Sequence, residues 1–397
     1  MAADLPPGDQ PGDKVRTLEQ LLATREIVIS CGSGGVGKTT TAAAVAAMAA
    51  THLGGKVLVL TVDPARRLAT ALGLEQFGNV ETRVPDSAFA EAGVTPRGEL
   101  WAAMLDTKQS WDDLVVRHAP DDKTRQAILA NSIYQNISAR FVQSHDYIAM
   151  ERLYEIHSSG AYDLIVVDTP PTRNAIDFLD APERMADFFS SKLLRWLTAP
   201  AKSRVVSMAS KPFYVVADRI LGSQFLEDIA EFFGLFQTMA PGFVARAEAV
   251  SRVLADRRTS FMVVSTLEAA PLHEAEFFIE TLEARRYHLG ALVLNKVLPA
   301  YLRRTATTGV ARRMVTEAEA VAAGLAESGD VGDPGDVARV LSTVGESFLN
   351  YQVVAKREAE QRASLAHSPD VTAAVPYFES DIADLTGLLA LGDQIWR

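Results

Sequence analysis

Hydrophobic positions in this 397-residue chain fall into short continuous runs separated by longer amphipathic stretches. Glu26-Ile27-Val28-Ile29-Ser30, Val57–Val62, Leu164–Val167, Phe261–Ser265 and Ala291–Leu294 are apolar on consecutive rather than alternate positions. Strands buried on both faces have this pattern, and such strands belong to parallel sheets covered by helices on either side. Between the first two runs, Thr40 to Ala50 is almost entirely Ala, Val, Thr and Met, which predicts a buried helix. Polar residues gather where the runs stop. A glycine cluster follows Ser30, Asp63-Pro64 closes the second run, Asp168 closes the third and Asn295 follows the last. Open parallel sheets bind ligands at this end of their strands. The predicted fold class is α/β, a mostly parallel, doubly wound sheet.

Two regions depart from the alternation. Residues 108–158 and 183–258 read as mainly helical, and they predict a helical subdomain inserted at about 108–140 and 183–258. The second region is aromatic: 9 of the 17 Phe lie within residues 178–243. Phe225, Leu226, Ile229, Phe232, Phe233 and Phe236 share one stripe of a helix, with Glu227, Asp228 and Glu231 opposite. Met185, Phe188, Phe189, Leu193, Trp196 and Leu197 make a second apolar helix. Such stripes pack a core or offer a surface to an apolar partner. Phe188, Phe189, Phe225, Ile229, Phe232, Phe233 and Phe236 are the candidate surface. Residues 1–20, rich in Pro, Gly and Asp, predict a disordered tail, and residues 21–397 the folded domain. Glu327 to Asp336 predicts a polar surface loop.

Composition narrows the classes. A net charge of −11 argues against a broad electrostatic grip on nucleic acid or anionic lipid. The single cysteine, Cys31, excludes an internal disulfide and any multi-thiolate metal site within one chain. The seven histidines (His52, His118, His145, His157, His273, His288 and His367) have no ligand spacing. No apolar stretch approaches the about 18 residues of a membrane span, and the N-terminus has no apolar signal region, so the expected location is cytoplasmic.

The candidate chemistry lies after the first run. Gly32-Ser33-Gly34-Gly35-Val36-Gly37-Lys38-Thr39 fits G-x-x-x-x-G-K-[ST] in full, between a predicted strand and a predicted helix. Backbone N–H groups of such a turn converge on phosphate oxygens, and the following helix adds its positive end. The predicted nucleotide-binding residues are Gly34, Gly35, Val36, Gly37, Lys38, Thr39 and Thr40. Lys38 would reach the β- and γ-phosphates, and the Thr39 hydroxyl would ligate Mg²⁺. Asp168 is the expected carboxylate for the Mg²⁺ shell, and Asp63 is placed to orient or deprotonate the attacking water. A nucleoside triphosphate and Mg²⁺ are therefore the predicted ligands of a P-loop NTPase.

The glycine loop, LTVDPARRLATALG (60–73), VVDTPPTRNAIDFL (166–179) and VLNK (293–296) together resemble the ArsA-type ATPases over roughly residues 25–390. That family includes arsenite-pump ATPases and the ATPases that deliver tail-anchored membrane proteins. The resemblance implies that the loop beginning at Asp63 is switch I, with Asp63 positioning the attacking water. It implies switch II at Asp168, Thr169, Pro171 and Thr172. It implies an adenine contact at Asn295 and a base-flanking Pro376 in AAVPYFES. Trp101 to Asp106 resembles a family strand with no role beyond the sheet. The implied activity is Mg-ATP hydrolysis coupled, in a dimer, to binding and release of an apolar, membrane-protein-like client.

The chain departs from the family pattern in several places. Ser33 stands where the family reads a lysine that crosses a dimer interface, and a serine supplies no positive charge there. The clustered cysteines of arsenite pumps and the paired-cysteine zinc clamp of the eukaryotic targeting ATPases are absent. Arg173-Asn174 replaces Gly-His in switch II. An alternative reading is therefore a weakly catalytic subunit of a hetero-oligomer with a paralogous ATPase. A partition or positioning ATPase is a weaker one.

Overall fold

The computed structural model describes residues 17–62, 66–74, 78–138, 145–170, 175–191, 223–327, 329, 332–365 and 369–396. Its centre is an eight-stranded sheet of β1 (Ile27–Cys31), β2 (Lys56–Thr61), β3 (Thr82–Arg83), β4 (Glu99–Met104), β5 (Leu164–Asp168), β6 (Thr259–Ser265), β7 (Leu289–Val297) and β8 (Val371–Pro376), in the order β3-β4-β2-β5-β1-β6-β7-β8. The two-residue β3 runs antiparallel to β4, and the other pairings are parallel. This is the α/β architecture that the continuous apolar runs predict. Each run feeds two cores, because successive strand residues point to opposite faces. Ile27, Ile29, Cys31, Leu58 and Leu60 enter one core, and Val28, Val57 and Val59 enter the other.

The helix Lys38–His52 is rich in alanine because it is covered on both sides. The sheet lies on one side and the last helix, Leu385–Trp396, on the other; Ala42 to Ala50 are at most 1% exposed. Small side chains allow both neighbours to approach while keeping a high helix propensity.

The described helices between β4 and β6 pack on the other face. At their centre Phe189 stacks on Phe243, with ring centroids 4.8 Å apart, and Trp111, Tyr147 and Phe236 ring the same Phe243. Nearby, the buried Glu151 accepts a hydrogen bond from Arg246 at 2.7 Å and lies 3.8 Å from Arg117. This cluster ties together the helices Thr107–His118, His145–Ser159 and Ala240–Leu254.

Three expectations need correction. The tail expected over residues 1–20 overlaps the helix Leu18–Leu22, which Thr17 caps, while residues 1–16 lie outside the described residues. Leu18, Leu21 and Leu22 are at most 2% exposed, and their burial outweighs the polar composition before them. The loop expected over Glu327 to Asp336 ends early, because Asp333 caps a 31-residue helix, Pro334–Ser364. Its side chain accepts from the N–H groups of Gly335 and Asp336, and Pro334 sits where a helix needs no N–H. Lastly, Phe189, Phe232 and Phe236 are 4%, 5% and 7% exposed and belong to the core, not to an open apolar surface. Their helix face is turned onto Trp111 and Phe243. Phe188 is 37% exposed, and its ring lies against that of half-buried Phe233. Ile229 is half-buried, and the side chain of Phe225 lies outside the described residues.

Candidate nucleotide site

β1 is the central strand of the sheet's working edge, flanked by β5 and β6. The glycine loop leaves its C-terminal end and runs into the helix Lys38–His52. Two glycines are there for stated reasons. A Cβ on Gly32 would lie 2.1 Å from the Val264 carbonyl oxygen of β6, so the chain passes too close for any side chain. Gly37 has φ +94° and is the residue before the helix, where a Cβ would lie 2.4 Å from Asn295 Nδ2. Val36, 1% exposed, anchors the loop in the core, while Gly34 and Gly35 are exposed.

Lys38 is 6% exposed, and its Nζ donates to the Ser33 carbonyl at 3.2 Å. The ammonium is thus folded back over the loop that its own helix follows. Thr39 and Thr40 are half-buried in the first helical turn. The Ser33 hydroxyl is buried without a hydrogen-bond partner among the described residues. An orphaned hydroxyl, a cradle without Cβ atoms and a lysine in the loop suit a bound polyphosphate.

Asp168 ends β5 beside the loop and is fully buried. Its Oδ2 accepts from the Thr61 hydroxyl at 2.9 Å, which joins the ends of β5 and β2. Val62 N–H donates to the Asp168 carbonyl at 3.2 Å, which extends the same junction. Thr169 is held against β1, with its hydroxyl donating to the Ser30 carbonyl at 2.9 Å. Thr39 and Asp168 are the side chains that would hold Mg²⁺, together with phosphate oxygens. Among the described residues no cluster of three His, Cys, Asp or Glu is placed to hold a metal by itself. Asp63, Pro171, Thr172, Arg173 and Asn174 lie outside the described residues.

Asn295 and Pro376 come from neighbouring strands. Asn295, near the end of β7, is 9% exposed, and its Nδ2 donates to the Val36 carbonyl at 2.8 Å. Pro376 ends β8 opposite Val297 and is exposed, as is the following Tyr377. The sequence reading missed Lys296, whose Nζ donates to the Gly35 carbonyl at 3.2 Å, and Thr61, the partner of Asp168. Both adjoin residues that it did single out. Cys31, under the loop, is chemically quiet: burial pushes its thiol up to about 12.

A family model described as anion-transporting ATPase matches residues 25–319. The chain is 28% identical over 269 residues to ATPase get3 of Aspergillus terreus, covering 67% of this chain and 72% of that one. It is 24% identical over 285 residues to ATPase GET3 of Podospora anserina, covering 71% and 76%. It is 23% identical over 278 residues to a putative arsenical pump-driving ATPase of Chlorobaculum tepidum, covering 69% and 62%.

Proposed function

The chain belongs to the anion-transporting ATPase family and is an ATPase, and from that premise we propose that it couples Mg-ATP hydrolysis to binding and release of an apolar client. Water attacks the γ-phosphorus, the bond to the β–γ bridging oxygen breaks, and ADP and inorganic phosphate leave. Loop N–H groups from Gly34 to Thr40 and the Lys38 ammonium stabilise charge on the phosphoryl oxygens. Asp63 orients the attacking water and takes its proton. Mg²⁺ on Thr39 and Asp168 supplies further positive charge when bound.

One observation carries the coupling. The helix Ala175–Ser190 starts directly after the switch segment that Asp168 opens, and its last turn carries Phe188 and Phe189. A shift of that segment on hydrolysis moves a helix whose far end carries the exposed Phe188 beside Phe233. Among the described residues no helix is long and apolar enough to cross a membrane.

The test is binding of a fluorescent Leu-rich peptide of about 20 residues, read by anisotropy with ATP or ADP present. The reading expects affinity to differ between the two nucleotides and to fall in Phe188→Asp. Equal affinity in both states would contradict it.

A second reading keeps the same fold and rests on Ser33. With no lysine at that position, the second cation comes from a paralogous partner, and the chain alone turns over slowly. Turnover that rises on mixing with such a partner supports this reading, and a chain at full rate alone counts against it.

A further inference from the structure

The end of β7 is built irregularly, and the irregularity faces the glycine loop. β7 pairs with β8 through Leu294 opposite Ala374 and next through Val297 opposite Pro376, so β7 carries one extra residue. The surplus sits at Asn295-Lys296, where Lys296 has φ +58°. Left-handed backbone of this kind usually falls to glycine, because a side chain there is strained. Here a lysine fills it.

The bulge has a geometric result. In a regular strand, consecutive side chains point to opposite faces. At this bulge both side chains reach the same loop. Asn295 Nδ2 donates to the Val36 carbonyl at 2.8 Å, and Lys296 Nζ donates to the preceding carbonyl, Gly35, at 3.2 Å. Lys296 N–H closes the turn by donating to Asn295 Oδ1 at 2.9 Å. The two held carbonyls belong to successive peptides of the phosphate loop. In a trans peptide the N–H points opposite to the C=O. Fixing the Gly35 and Val36 carbonyls toward β7 therefore turns the N–H groups of Val36 and Gly37 the other way. The ammonium on the Gly35 carbonyl also polarises that peptide, raising the positive charge on the Val36 N–H.

We propose that Lys296 is a positioning residue of the nucleotide site: the β7 bulge spends backbone strain to brace two loop peptides with their N–H groups presented to phosphate. The inference rests on the nucleotide reading of the glycine loop. It assigns Lys296 an action on the loop, not on the phosphate.

The test measures MgADP affinity by titration calorimetry and thermal stability by melting, on the full chain. Lys296→Met keeps the strained backbone and removes the charged donor, and its affinity is expected to fall about tenfold, as for loss of one charge-assisted hydrogen bond. Lys296→Gly removes both the donor and the strain, so its Tm is expected to rise while its affinity falls by a similar factor. Lys296→Arg, which restores a cationic donor, is expected to stay within about threefold of wild type. Opposite movement of stability and affinity in Lys296→Gly is a result that a merely structural lysine does not give. Wild-type affinity in Lys296→Met, or losses that track a falling Tm, would overturn the proposal. Lys38→Ala separates the two levels. If it binds MgADP like wild type, the nucleotide reading fails. If it loses binding while Lys296→Met does not, only the brace fails.

Discussion

Gly37→Ala tests the contact between the glycine loop and β7 quantitatively. The added Cβ has two consequences. It puts an L-residue at φ +94°, which costs about 1–2 kcal/mol, and it enters space 2.4 Å from Asn295 Nδ2. The amide must withdraw, so the bond from Nδ2 to the Val36 carbonyl is lost and a buried acceptor goes unpaired, at about 1–2 kcal/mol more. Gly37→Ala is therefore expected to destabilise by about 2–4 kcal/mol. Asn295→Ala loses that hydrogen bond, about 1–2 kcal/mol, and also the one that its Oδ1 accepts from Lys296 N–H. In the double variant the bond to Val36 is already gone, so Asn295→Ala is expected to add to Gly37→Ala only the loss of the bond from Lys296 N–H. The cycle should show a coupling of about 1–2 kcal/mol, measured by urea denaturation at constant m-value. Single effects that add to within about 0.5 kcal/mol would refute the contact.

Other parts of the chain give simpler tests. Cys31, its thiol raised to about 12 by burial, is expected to resist Ellman's reagent in the native protein and to react once urea unfolds it; rapid full labelling of the native chain would contradict this. The Glu26 carboxyl is held below its ordinary 4.5 by the hydrogen bond from His157, with burial opposing and Arg258 assisting. A depressed folded pKa adds stability that is present above that ordinary value and is lost as pH falls through the folded one. Urea midpoints should therefore drop on the acid side of 4.5, and Glu26→Gln should reduce that slope; an unchanged slope would exclude Glu26 as its source. Phe243, fully buried among Trp111, Tyr147, Phe189 and Phe236, should cost about 3–5 kcal/mol when changed to Ala. A urea-measured loss below about 1 kcal/mol would place it outside the core.

What could be read from the sequence follows from how strongly each element is buried. β1, β2, β5, β6 and β7 are covered on both faces, and their apolar runs announce them. The glycine loop is legible because phosphate chemistry fixes residue types at fixed spacing. Pro334–Ser364 was hidden for the opposite reason. Only Gly345, Gln352 and Ala355 are fully buried in it, while Val340, Val344, Tyr351 and Val354 face outward. Its apolar pattern does not mark its packed side. The Phe stripe had the right helical period, but periodicity cannot say whether a stripe faces a core or a partner. The structure turns Phe232 and Phe236 inward and leaves Phe188 at the rim. Lys296 carries no such mark in the sequence, because a positive φ has no signature in a lysine, even one beside Asn295.

The most direct test of the central claim is steady-state hydrolysis of Mg-ATP by the purified chain, with Lys38→Ala and Asp63→Asn measured beside it. The account predicts release of inorganic phosphate by the wild-type chain and its loss in both variants, with ATP binding kept in Asp63→Asn. Turnover unchanged in Lys38→Ala would contradict it, because the glycine loop would then not be the site where ATP is cleaved.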